Sequence, residues 1–401
     1  LTAIFFNCNC TPNFDEAHAY NIARYLNPAE IFTISKTEGH PFLWYFLLMP
    51  IAKMHLGYPY NLFLLNLLII LSAFYFLYKY APFSTLTKYL ITFSAPFLQL
   101  YVSYARSYSL TLLLLFILLS IYEKRSQKTL LYLTLIILLA NTNIIGFCLA
   151  APLGLLYLKE TYALRKKNIT PVLLTFTFGL LEILLIICQF YSYDTSIPSH
   201  TPIFSSLEEN LNKVFFPLNI QLFIIIVLIT IFTLCKNKRY QGLFFLIMAN
   251  IGLLLLFFNI YSGNLHHHAF FYIILIAAYW IGCTEEEPNL NAKQLLPLSI
   301  LAFLMIFNIY DYRKRQYYNN LRESAISINQ KYPNQPVNIF ILDPFTADII
   351  LPYLTPNITL LNQTATAVTT LKGLQEFLYY FYIPINSDTI LKTAQKFPDT
   401  L

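Results

Sequence analysis

The chain has 401 residues, of which 57% are hydrophobic and only 11% charged, with a mean hydropathy of +0.55. That balance excludes an ordinary soluble enzyme and places the chain among polytopic membrane proteins. The net charge of +6 does not indicate a nucleic-acid partner, because Lys and Arg fall in short clusters between apolar runs, where they set topology.

Leu1 to Cys8 reads as the outer end of a first span. Cys8 and Cys10 form a C-x-C pair and the other cysteines stand alone in apolar runs, so no zinc or disulfide framework is present. The first outer loop, residues 9–40, contains the most concentrated charge of the chain. Between Phe14 and Pro41 stand Asp15, Glu16, His18, Arg24, Glu30, Lys36, Glu38 and His40.

Asp15, Glu16 and His18 open an amphipathic helix continued by Ala17, Tyr20, Ile22, Ala23, Tyr25 and Leu26. Two readings of the acids stand side by side. Asp15 is an N-cap with Glu16 a first-turn acid facing the helix dipole, or one carboxylate is a general base for an acceptor hydroxyl or amine at the membrane surface. His40-Pro41 is either a simple turn, with Trp44 and Tyr45 in an interfacial belt, or part of a site.

Pro41–Gly57 is apolar but broken by Pro50, Lys53 and His55, so it reads as a re-entrant or interfacial helix. Further spans follow at 61–79, 86–102, 106–122, 129–141, 144–158, 169–190, 219–235, 241–262, 268–284 and 292–312. At about 20 residues per span, the chain to residue 312 accommodates roughly eleven to thirteen membrane helices. Basic clusters at Lys79 with Lys88, Lys124 to Lys128, Lys159 to Lys167 and Lys236 to Arg239 recur every second span and are assigned to the cytoplasmic side. The loops 101–106, 141–143, 191–218 and 261–268, with everything after Tyr312, then face outward. Arg313-Lys314-Arg315 opposes that assignment, one cluster against four.

Arg106 stands at the outer end of a long apolar run, either snorkelling or paired with an anionic phosphate. His266, His267 and His268 open another span. Successive helical residues diverge by about 100°, so these three do not bind one metal together. Glu182 lies mid-span, where an ionisable group is functional or paired, and Gln189 shares its polar face. Residues 313–401 have shorter apolar runs: strands at Val337–Leu342 and Thr359–Leu361, helices at Pro344–Leu354 and Leu371–Tyr382. They form a small α/β extramembrane domain after the transmembrane domain of residues 1–312.

Three stretches together resemble the GT-C superfamily of membrane glycosyltransferases, especially its protein O-mannosyltransferase and aminoarabinose transferase-like branch. They are Asp15-Glu16-Ala17-His18, Gly39-His40-Pro41-Phe42-Leu43-Trp44-Tyr45 and Ala105-Arg106-Ser107-Tyr108-Ser109-Leu110. Phe42 replaces the second Pro of the family's H-P-P-L. Leu265 to Phe270 resembles an Arg-His-His-Gly-Phe run of some members, with His266 in place of Arg and Ala269 in place of Gly. The resemblance implies a GT-C fold and sugar transfer from a polyprenyl-phosphate donor to a glycan, lipid or protein acceptor. The active site would face outward from an integral membrane protein, expected in a bacterial inner membrane.

It further implies Asp15 as base and Glu16 as supporting acid. Arg106, His267, His268 and His40 would bind the donor phosphate, with His18, His266 and Glu182 in support. No metal ligand set is assigned, and a divalent metal requirement stays open. Rival readings are a flippase or transporter of lipid-linked glycans, and a glycan polymerase or ligase. The geometric expectation is that Asp15, Arg106 and at least one of His266–His268 line one cavity at the outer face.

Overall fold

The computed structural model describes residues 11–38, 40–54, 57–166, 168–190, 203–215, 220–260, 263–284, 293–307, 314–341, 343–362 and 366–374. Cys8 and Cys10, Gly39, His55, Arg313 and the stretch 375–401 lie outside them.

Three short helices come first: α1 (Phe14–Tyr25), α2 (Pro28–Glu38) and α3 (Leu43–Lys53). The cap of α1 is Asn13, not Asp15. Asn13 accepts the Glu16 amide on its side chain while Glu16 accepts the Asn13 amide, a complete capping box. Asn27 and Glu30 repeat the arrangement at α2: the Asn27 side chain accepts the Glu30 amide at 3.0 Å and Glu30 accepts the Asn27 amide at 2.8 Å. With 11 residues, α3 spans about 16 Å, far short of a bilayer crossing, in keeping with an interfacial or re-entrant element. Trp44 and Tyr45 are buried rather than in an interfacial belt, because α3 packs along α1.

The main helical body follows: α4 (Tyr60–Tyr80), α5 (Thr85–Phe93), α6 (Ser107–Ser120), α7 (Thr129–Ala140), α8 (Ile144–Ala163), α9 (Thr170–Phe190), α10 (Ile203–Phe215), α11 (Ile220–Lys236), α12 (Tyr240–Asn259), the single turn α13 (Leu265–His268), α14 (Phe270–Thr284) and α15 (Leu296–Leu304). Five helical stretches are long and apolar enough to cross a membrane, at 60–80, 144–163, 170–189, 240–259 and 265–284; α10 with α11 would make a sixth if that bent pair is one span. Among the described residues this is fewer than the eleven to thirteen expected.

The shortfall has local causes. The expected span 86–102 breaks at Ser94, where Pro96 has no N–H to donate and its ring clashes with the preceding turn. The chain resumes as a wide helical turn, Pro96–Tyr101. Helices α6 and α7 have 14 and 12 residues, about 18 to 21 Å. Residues 203–215, expected as loop, form the amphipathic helix α10, with Leu207, Leu211, Val214 and Phe215 buried.

α14 is the hub. Every residue from Phe270 to Cys283 is buried, as befits a helix apolar on all sides. It lies against α12 and α6. At Gly242 of α12 an added Cβ would stand 2.6 Å from the Ala278 carbonyl oxygen, so the two backbones approach as small-residue helix packing allows. The outer helices carry the opposite pattern: Leu173, Phe176, Leu180, Leu184 and Ile187 of α9, and Leu222, Ile225, Leu228 and Phe232 of α11, are exposed. Such apolar rows on long helices suit a lipid environment.

The basic clusters gather at one end of this body. Arg125, just after α6, pairs with Glu160 near the end of α8 at 2.7 Å and donates to Gln241 at the start of α12 at 3.0 Å. Gln294 donates to Asn237 at the end of α11. Because α6 and α14 both begin at the other end, Arg106 and His266–His268 lie opposite the basic clusters.

After α16 (Lys314–Lys331), β1 (Val337–Phe340) and β2 (Ile358–Leu361) pair in parallel, with α17 (Pro344–Ile350) between them. Both strands and the intervening helix fall where the sequence placed them. The expected helix at 371–382 is helical over 371–374, and the rest lies outside the described residues.

Candidate functional site

Because Asn13 is the cap, the Asp15 carboxylate is not committed to the helix start. It accepts one hydrogen bond among those described, from the Tyr104 hydroxyl at 3.4 Å. Burial, followed by the carboxylates of Asp15 and Glu16, pushes the Tyr104 hydroxyl well above its usual pKa, so it remains a donor.

Glu16 is placed differently. One oxygen completes the capping box at 2.8 Å and the other accepts the buried Ala105 amide at 2.6 Å. Both oxygens thus hold backbone N–H groups, and Glu16 fastens the 102–106 segment to α1. The Arg106 guanidinium reaches the same helix, donating to the Asp15 carbonyl oxygen and approaching His40 Nε2 at 3.4 Å. Burial opposes the Arg106 charge, but the Asp15 carboxylate leads the influences that outweigh it, and its pKa stays above the ordinary arginine value.

The approach of Arg106 is fixed from behind. Ser109 donates to Asn66 at 2.5 Å and to the Arg106 carbonyl at 3.1 Å, while the Asn66 amide donates to the carbonyls of Tyr101 and Val102 at 3.1 and 2.9 Å. Asn143 caps α8 through Gly146 N and donates to Ser107 and Thr111 at 3.0 and 2.9 Å. These buried bonds determine where the segment before α6 ends and the helix begins.

The histidine turn enters from the start of α14. His266 stacks on Tyr104 at 4.6 Å between ring centroids and lies 4.8 Å from Tyr108. His267 Nδ1 accepts the Asn264 amide at 2.9 Å, so its ring is neutral with the proton on Nε2, which donates to the Tyr108 hydroxyl at 2.6 Å. His268 donates from Nδ1 to the Asn264 carbonyl at 2.9 Å and packs on Phe257. The turn depends on Gly263, whose φ of +76° disfavours other residues and whose added Cβ would meet His268 Cε1 at 2.9 Å.

Four sequence-distant segments therefore converge: Asp15, His40, Tyr104 with Arg106, and His266. Of the residues singled out from sequence, His267 contacts Tyr108 in a second layer, and His268 braces its own turn. His18 points elsewhere, meeting Asp348 Oδ2 at 2.7 Å. Glu182 accepts from Asn141 at 2.8 Å, and Gln189 donates to the same Asn141 at 2.9 Å, so this carboxylate is paired between α9 and the end of α7. Tyr104, Asn66 and Asp348 were not singled out, and Tyr108 entered only as part of the Ala105–Leu110 stretch, with no role of its own. Asn13 was legible as the first residue of an N-x-x-E capping pattern. Tyr104 gave no signal beyond its place two residues before Arg106. Among the described residues no group of His, Cys, Asp and Glu is arranged to hold a metal ion.

The fold and this cluster together define a helical protein with several membrane-length apolar helices and a polar, partly buried site at the end opposite its basic clusters. The chain matches no protein-family model, no curated protein and no solved structure.

Proposed function

We propose that this protein is a GT-C-type membrane glycosyltransferase that moves a sugar from a polyprenyl-phosphate donor to an acceptor. The observation carrying the proposal is the half-buried Asp15 carboxylate, left outside the helix cap and set beside the buried cation of Arg106. An inverting displacement needs these two groups. Asp15 takes the proton from the acceptor hydroxyl or amine as that atom bonds to the anomeric carbon. The bond from that carbon to the phosphate oxygen breaks, and the departing polyprenyl phosphate carries the electron pair against Arg106.

His40 and His266 flank the cation and complete the phosphate side, while Tyr104 orients the base. Glu16 holds the 102–106 segment against α1, which sets the spacing between base and cation. The basic clusters at the opposite end favour an orientation with the site outward, in a cell membrane of bacterial type. The rival transporter reading draws on Glu182 alone, and its pairing with Asn141 favours a structural role.

The test is purified full-length protein incubated with a panel of polyprenyl-phosphate sugars and candidate acceptors, with sugar release or transfer as the readout. Turnover by the unaltered chain, lost in both Asp15→Asn and Arg106→Ala, supports the reading. Absence of turnover across the panel, or turnover indifferent to both substitutions, overturns it.

A further inference from the structure

Helix α1 has two working faces. At about 100° per residue, the mean direction of Asp15 and Glu16 lies roughly 165° from that of Phe14, His18, Asn21 and Arg24, with Glu16 the farther round and Asp15 about 60° from His18. That second face is held by the residues after β1. The Phe14 ring meets Phe345 edge-on at 4.4 Å. His18 Nδ1 lies 2.7 Å from Asp348 Oδ2, with both side chains almost fully buried. Asn21 donates to Asp348 Oδ1 at 2.9 Å and to the Asp348 carbonyl at 3.0 Å, and Arg24 donates to the Pro352 carbonyl at 3.2 Å.

A buried carboxylate is costly unless every oxygen is matched. Asp348 is matched entirely by α1, through two of its side chains one turn apart. The position and rotation of α1 about its axis are thereby tied to a residue some 330 positions away. The same rotation decides whether Glu16 reaches the Ala105 amide and whether Asp15 stands beside Tyr104 and Arg106.

We infer that Asp348 is a positioning residue for the site: through His18 and Asn21 it sets the rotation of α1, so the segment after β1 is part of the catalytic assembly rather than an appendage. The inference rests on the proposed role of Asp15, but its first test does not need turnover. In the full-length protein in detergent, hydrogen–deuterium exchange is followed at 102–106, which Asp348 does not touch, and at 343–354, which contains it. D348N leaves a single acceptor oxygen for the two donors, His18 Nδ1–H and Asn21 Nδ2–H, that the carboxylate now serves. Exchange at 102–106 is expected to rise roughly tenfold, the consequence of one mismatched buried hydrogen bond.

The double variant N21A with D348N is expected to raise exchange at 102–106 no further than D348N alone, because both changes act on the one contact between α1 and Asp348. If D348N does not yield folded protein, N21A removes the Asn21 bonds alone and carries the same expectation in smaller measure. A rise confined to 343–354, or effects of D348N and N21A at 102–106 that add in full, overturns the inference. With a donor the unaltered protein turns over, D348N lowers kcat with little change in donor KM; a change in KM alone also overturns it. Failure of the whole donor panel counts against the glycosyltransferase reading and leaves the exchange result to decide this one.

Discussion

Asp15→Asn isolates the base from the helix that carries it. Asn13 remains the cap and Glu16 remains boxed to it, so the helix start survives. The amide oxygen of Asn still accepts from Tyr104, which preserves the contact now seen at 3.4 Å. The lost stabilisation is the interaction of a first-turn carboxylate with the helix dipole and with Arg106, about 0.3–1 kcal/mol. Loss of a general base instead lowers the rate by about 10²- to 10⁴-fold, or roughly 2.7–5.4 kcal/mol in the barrier at about 1.36 kcal/mol per tenfold. The two effects are separable by measuring transfer from the active donor alongside thermal unfolding in detergent, with donor binding followed on the same samples. A near-normal melting curve, retained donor binding and a rate down by at least a hundredfold are expected. Unchanged turnover in folded protein refutes the assignment of Asp15 as base.

Arg106→Ala removes the cation beside the proposed phosphate position, and donor KM is expected to rise by about tenfold or more, the loss of one charge-assisted contact; an unchanged KM places the phosphate elsewhere. Glu16→Ala leaves the Asn13 and Ala105 amides without their acceptor and is expected to cost about 2–5 kcal/mol in unfolding experiments. Glu16→Gln keeps one of the two acceptors and sets an NH₂ against the other amide, so it is expected to cost about 1–3 kcal/mol; a rate loss well beyond that stability cost would restore the supporting-acid role. Cysteines placed at Ser126 and at Asn264 are expected to react with impermeant reagent from opposite sides of the membrane, and reaction of both from one side removes the outward placement of the site.

The apolar helices were legible because long runs of Leu, Ile and Phe between basic clusters give an unambiguous length signal. The same signal overstated their number, since it does not register Pro96 breaking a run, nor α6 and α7 stopping after 14 and 12 residues. The β-α-β unit was legible from short runs ending at Asp343-Pro344, a cap followed by a Pro at the first helical position. At the site, charge in an apolar chain drew attention to Asp15, Arg106 and the histidines. Tyr104 was hidden because 31 tyrosines make any one of them uninformative until its neighbours are known. The pairing of His18 with Asp348 was also hidden, because nothing local connects residues so far apart in the chain.

An ionisable group within an apolar helix is costly unless something answers it. For Glu182 the answer is Asn141, and through it Gln189, whose side-chain oxygen also accepts the Phe42 amide at 3.3 Å. This chain of amides runs from a carboxylate on α9, past the end of α7, to the turn immediately after His40. Its end point adjoins His40, which approaches Arg106 from the short segment between α2, ending at Glu38, and α3, beginning at Leu43. A purely apolar α9 would pack as well against lipid but would leave the Phe42 amide unanswered and the turn free to shift. The Glu182 network therefore links α9 and the end of α7 to the turn that follows His40, and this pairing answers the carboxylate within the apolar helix.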